Sequence, residues 1–206
     1  MGLSASTTRR ELIGRVGALA GLGAAGGTVA ALLGPAPAPA QAQAESDGDA
    51  LRALSAVELL GVFMYERAIQ SRVLSAGTEH LTRKLLGHEQ AHARALELEL
   101  GAHGLLPPAN PAGPSEADRA LSRLHVSGSL TGLPTEHNWL ELLLGYEAAA
   151  GAAYYEAASK LSDPALLRIA AESMACEAQH ATLLSQALNR GDVTKAVPDA
   201  FVEGKR

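Results

Sequence analysis

From about Asp49 to Asn189 the apolar residues recur at the three- and four-residue spacing of amphipathic helices, and no segment alternates with a period of two. The pattern predicts long helices over about Asp49–Ala76, Glu79–His103, Thr135–Leu161 and Pro164–Asn189, with a short helix over Ser115–Leu124. Only two to four residues separate the first long helix from the second and the third from the fourth, so each pair reads as an antiparallel hairpin. Between the hairpins "HGLLPPANPAGP" breaks the rhythm with four prolines, and the intervening stretch of about 30 residues can travel the length of a bundle. The expected fold class is all-α: an antiparallel four-helix bundle with one long crossover between the second and third long helices. The tail "RGDVTKAVPDAFVEGKR" reads as irregular.

The stripes are interrupted in a regular way. The first helix presents Leu51, Leu54, Glu58, Val62, Tyr65 and Ile69, and the third presents Leu140, Leu143, Glu147, Gly151, Tyr154 and Ala158, both spaced 3, 4, 4, 3, 4. Each row has a glutamate where an apolar residue belongs and a tyrosine seven residues later. The second helix gives Leu81, Leu85, Glu89, His92 and Leu96, and the fourth gives Leu166, Ala170, Ser173, Glu177, His180 and Leu184, so both insert Glu-x-x-His into a core-facing row. The chain therefore reads as two copies of one helical hairpin.

Four ionised carboxylates buried without partners would cost several kcal/mol apiece, on the order of a domain's whole stability. Two divalent cations balance the four negative charges, and two neutral imidazoles complete the donor set. Oxygen and imidazole ligands suit iron or manganese, with zinc also compatible. Glu and His three residues apart share a helix face and can reach one ion, while a carboxylate can bridge to a second. The string "HEQAH", His88 to His92, also matches the zinc-protease motif. His88 lies about 100° around the helix from Glu89, however, so the string parses as Glu89-x-x-His92 with His88 off the central stripe.

The order Glu, Glu-x-x-His, Glu, Glu-x-x-His resembles that of the ferritin-like di-iron carboxylate superfamily over about Asp49–Asn189. The similarity is greatest to bacterial exported ferritin-like-domain proteins, and the glutamate-to-tyrosine spacing is rubrerythrin-like. The resemblance implies a ferritin-like bundle, with Glu58, Glu89, His92, Glu147, Glu177 and His180 as ligands of two divalent metal ions. Tyr65 and Tyr154 are the candidate catalytic tyrosines, as donors to ligand carboxylates. Ala150 stands where rubrerythrin-type sites carry a further carboxylate, and one cysteine cannot build a rubredoxin-like module.

Composition changes the picture mainly at the N-terminus. Arg9 and Arg10 precede the apolar, glycine-rich stretch "VGALAGLGAAGGTVAALL", and the small-x-small triplet Ala42, Gln43, Ala44 follows. This reads as a twin-arginine export signal over residues 1–44, leaving a bundle domain over 45–206 in the periplasm, cell wall or extracellular space. The remaining 162 residues carry 14 basic and 21 acidic side chains, a formal charge of −7. No basic cluster supports nucleic-acid binding, and no membrane span is expected after the signal. Cys176, the only cysteine, cannot form an internal disulfide.

The expected function is an exported di-metal carboxylate protein, ferroxidase- or peroxidase-like, reacting with dioxygen or hydrogen peroxide in oxidative stress or metal handling. A homo-oligomer is compatible with the sequence. The rival readings are a zinc metalloprotease using His88, Glu89 and His92, and a non-enzymatic helical binding or stress-protection module.

Overall fold

A computed structural model describes residues 40–190 together with 192, 194 and 195. The paired arginines and apolar stretch of the expected export signal lie outside the described residues, as does most of the tail. The described chain is all-helical: α1 (Ala40–Gln70), α2 (Ala76–Ala102), α3 (Pro114–Arg123), α4 (Glu136–Ala158) and α5 (Pro164–Asn189). No helix among the described residues is long and apolar enough to cross a membrane.

The ends of α1 differ from the periodicity. It begins at Ala40 because alanine and glutamine are good helix formers without any apolar stripe, so the helix passes through the expected cleavage point after Ala44. It stops at Gln70, where the Ser71 amide donates to the Arg67 carbonyl at 3.0 Å and Arg72 takes a left-handed φ of 61°. Val73 and Leu74 continue the apolar spacing, but they pack on the core from the loop. Both hairpin loops, 71–75 and 159–163, are five residues long rather than two to four.

The other boundaries follow local chemistry. The Thr135 side chain caps α4 by accepting from the Asn138 amide, and Asp163 caps α5 by accepting from the Ala165 amide, with Pro164 in the first turn. The crossover between α2 and α4 is held where the Asp118 carboxylate of α3 accepts from the Leu130 amide at 2.8 Å and the Ser129 hydroxyl at 2.6 Å. Ala117 and Leu121 anchor the inner face of α3 in the core.

Two apolar clusters fill the bundle. One joins Leu60 and Met64 of α1, Leu85 of α2, Leu143 of α4 and Leu184 of α5. The other joins Leu51 and Leu54 of α1, Leu96 and Leu100 of α2, Leu161 beyond α4, and Leu166 and Ala170 of α5. Low numbers on α1 and α5 thus share an end with high numbers on α2 and α4. The helices α1 and α5 run one way, α2 and α4 the other, and the parallel α2–α4 pair requires the long crossover. Packing is closest within the two hairpins and looser between α1 and α4 and between α2 and α5.

Asp47 ties the two hairpins together. It is buried, and its carboxylate accepts from the Ser162 amide and hydroxyl, both at 2.8 Å, and from the Asp163 amide at 3.2 Å. Removing an acceptor that serves three donors leaves them unsatisfied. Asp47→Ala should lower the unfolding free energy by about 2–3 kcal/mol in a urea titration, and Asp47→Asn by less.

Candidate metal centre

The six candidate ligands sit between the two apolar clusters. Glu58 comes from the middle of α1, Glu89 and His92 from α2, Glu147 from α4, and Glu177 and His180 from α5. The four glutamates are between 0% and 1% exposed, and His180 is 1% exposed. His92 is only partly covered, with 15% of its side chain accessible.

Their donor atoms converge in two groups. Glu58, Glu89, His92 and Glu177 form one and Glu89, Glu147, Glu177 and His180 the other, each with ligand atoms within 4.8 Å of one another. Glu89 and Glu177 belong to both, as bridging carboxylates would. His92 Nδ1 lies 2.9 Å from Glu177 Oε1 and 3.5 Å from Glu58 Oε2. His180 Nδ1 lies 3.2 Å from both Glu89 Oε1 and Glu177 Oε2, and 3.4 Å from Glu147 Oε2.

The atoms that face the centre have no ordinary hydrogen-bond partner. Buried, unpaired side-chain atoms comprise Glu58 Oε2, Glu89 Oε1, Glu147 Oε2, both Glu177 oxygens, and Nδ1 of His92 and His180; elsewhere among the described residues only Trp139 Nε1 shares that condition. Buried polar atoms are rarely left so, and a concentration of oxygen and imidazole donors at one point fits divalent cations.

The outward-facing oxygens, in contrast, are satisfied. The Tyr65 hydroxyl donates to Glu147 Oε1 and the Tyr154 hydroxyl to Glu58 Oε1, so each hairpin's tyrosine holds the other hairpin's glutamate. Tyr146 donates toward Glu89 Oε2 at 3.1 Å and the Val57 carbonyl at 2.9 Å. Burial, reinforced by the carboxylates alongside, pushes all three phenols well above the usual tyrosine range, so they remain protonated donors.

Sequence reasoning passed over Tyr146. The available signal was Gly61, a glycine inside a helix where alanine would be favoured by about 1 kcal/mol. A Cβ at Gly61 would collide with the Tyr146 hydroxyl and Glu89 Oε2, so the missing side chain makes room for this bond. Glu66 on α1, His103 just beyond α2 and Glu156 on α4 are exposed and take no part in the centre. Tyr155 is exposed as well. Ala150 is buried in the apolar core and supplies no further carboxylate.

His88 is closer to the centre than its stripe position implied. Its Nδ1 lies 2.9 Å from His180 Nε2, and Cys176 Sγ lies 3.3 Å from the same His180 nitrogen. The three form a separate His88–Cys176–His180 group, and among the described residues no group places His88 and His92 on a common ion, as the zinc-protease reading needs.

Bundle and donor set together define a class: helical proteins whose core can hold a divalent metal between carboxylates and imidazoles. The chain belongs to the ferritin-like domain family, which matches residues 46–190. The fold is similar to that of a conserved hypothetical protein, rv2844, from Mycobacterium tuberculosis. The two are 18% identical with a TM-score of 0.60, over 77% of this chain and 99% of that one. It is similar also to hypothetical protein MJ0754 from Methanococcus jannaschii DSM 2661, at 15% identity and a TM-score of 0.58, over 77% of this chain and 85% of that one. No curated protein matches the sequence.

Protons occupy the cluster when cations do not. Burial pushes the Glu58 carboxyl up to about 7, helped by repulsion from Glu89 and Glu177 and opposed by His92. Burial and its acidic neighbours raise Glu147 and Glu89 too. At Glu177, the close approach of the His180 and His92 imidazoles outweighs burial and holds the carboxyl low. At His92 burial opposes the charge, but Glu177 and Glu58 prevail and raise the imidazole to about 11; His180 is raised in the same way.

Cations bound here would compete with protons for these atoms, so metal uptake would release the imidazolium protons, and the Glu58 proton as well below about pH 7. Affinity should therefore rise with pH. For each ion it should fall about tenfold or more per unit as pH drops from 8 to 6, read by competition titration with proton release measured in buffers of different ionisation enthalpy.

Proposed function

We propose that this is an exported ferritin-like protein with a dinuclear iron, or alternatively manganese, centre that reacts with hydrogen peroxide or dioxygen. The observation that carries the reading is the convergence of seven unpaired buried donor atoms from four helices on two overlapping groups. Glu58 and His92 would hold one ion and Glu147 and His180 the other, with Glu89 and Glu177 within reach of both.

Bound there, two redox metals supply one electron each, enough to reduce hydrogen peroxide to water or dioxygen to hydrogen peroxide. The protein's part is to fix the donors before the metals arrive. Tyr65, Tyr154 and Tyr146 hold the outer carboxylate oxygens and so aim the inner ones. The apolar clusters on either side exclude bulk water from the ends of the site. His92, the one partly exposed residue of the set, supports approach of small oxidants from its side of the bundle.

Anaerobic Fe(II) reconstitution of the 45–206 chain should yield about two metals per chain and an ultraviolet absorption that grows on adding peroxide. Glu58→Ala and Glu147→Ala should each lose about one metal and most of that response. Well under one metal per wild-type chain would overturn the reading.

The paired arginines and small-x-small triplet support export by the twin-arginine route, which carries folded proteins and lets metal be chosen in the cytoplasm. N-terminal sequencing of the exported chain should begin at Glu45, and replacing Arg9 and Arg10 with lysine should retain the precursor inside the cell. Export undiminished in that variant would exclude the route.

A further inference from the structure

The two halves of the centre are built alike on the inside and differently on the outside. Every ligand carboxylate except Glu177 has a tyrosine behind it. The imidazoles differ: 15% of the His92 side chain is exposed, whereas His180 is enclosed and backed by His88.

The geometry of that backing is specific. The His88 and His180 ring centroids are 5.2 Å apart with planes 24° from parallel, and the facing nitrogens are 2.9 Å apart. The centroid separation is the nitrogen gap plus one ring radius on either side, so the two nitrogens face each other along the line joining the rings. This is the arrangement of a linear N–H···N hydrogen bond. It does not suit a further cation in the His88–Cys176–His180 group, because lone pairs aimed at each other cannot also converge on a point beside the line. Cys176 Sγ, 3.3 Å from His180 Nε2 and 3.7 Å from His88 Nδ1, packs across the joint.

The direction of the bond follows from the metal-facing atom. His180 turns Nδ1 toward Glu89, Glu147 and Glu177, so a neutral, metal-ready imidazole carries its hydrogen on Nε2 and donates it to His88 Nδ1. An acceptor behind a ligating histidine fixes its tautomer and its ring orientation, and loss of such a partner costs about 10- to 100-fold in metal affinity.

We infer that His88 is a positioning residue that makes the dinuclear centre unequal: through His180 it locks the Glu147–His180 half as the tight metal position and leaves the Glu58–His92 half as the weaker, exchangeable one. The inference rests on the dinuclear reading and assigns an order of filling to it.

Calorimetric titration with Co2+, which binds such donors without turnover, tests it. Wild-type protein should take up two ions in resolved steps. The bound state should show one paramagnetically shifted imidazole N–H signal that exchanges slowly with D2O, from His180. His88→Ala should weaken the tight step about 10- to 100-fold, leave the weak step within about twofold, and abolish the protected signal. His88→Asn, whose Oδ1 takes the place of Nδ1 as acceptor, should restore most of both. Unchanged steps in His88→Ala, equal weakening of both steps, or no rescue by asparagine would each overturn the inference while leaving the dinuclear site intact. Fewer than two ions on the wild-type chain would overturn the site and the inference together.

Discussion

Four glutamate carboxylates held at the centre of an apolar bundle set the terms for the rest of this molecule. A charge taken out of water costs several kcal/mol unless it is neutralised, and a domain's net stability is of that order. With protons as the counter-ions, Glu58 and Glu147 are pushed toward their neutral forms while His92 and His180 hold charge against burial. With cations the same cluster can be fully ionised, and metal uptake, proton release and stability become one linked equilibrium. The two apolar clusters above and below the polar layer raise the stakes by keeping water away from it.

The second organising feature is reciprocity between the hairpins. Tyr65 on α1 holds Glu147 on α4, and Tyr154 on α4 holds Glu58 on α1, so the sequence repeat becomes an approximate twofold exchange of donors. Neither hairpin completes its own outer carboxylate contact, which makes docking of the two hairpins a condition for a shaped centre. Asp47 stitches the same halves together at one end of the bundle. The exchange is broken in two places: Tyr146 supports Glu89 with room made by Gly61, and His88 supports His180 alone. A repeated sequence pattern thus carries an asymmetric outer layer, and that layer sets the two half-sites apart chemically.

Much of this was legible in one dimension because helix geometry converts spacing into direction. Residues at 3-4-4-3-4 intervals share a face, so Glu58, Glu89, Glu147 and Glu177 had to point where Leu51, Leu85, Leu143 and Leu184 point. The hairpins followed from short links, and the crossover from the proline-rich gap. The limits of α1 were not legible: a helix can extend over Ala40–Ala44 on propensity alone, and Val73 and Leu74 continue an apolar rhythm after the backbone has turned.

The sequence by itself determined that the bundle is all-helical, which side chains lie on its inner faces, and that acids there demand counter-charge, because these depend on local periodicity and on the cost of burying charge. Only the tertiary structure decided which acids belong to both donor groups, which tyrosine serves which glutamate, and that His88 of α2 reaches His180 of α5. Those pairings join residues 82, 96 and 92 positions apart, and their partners are chosen by the rotation and depth of helices packed against one another, which spacing within a single helix does not encode.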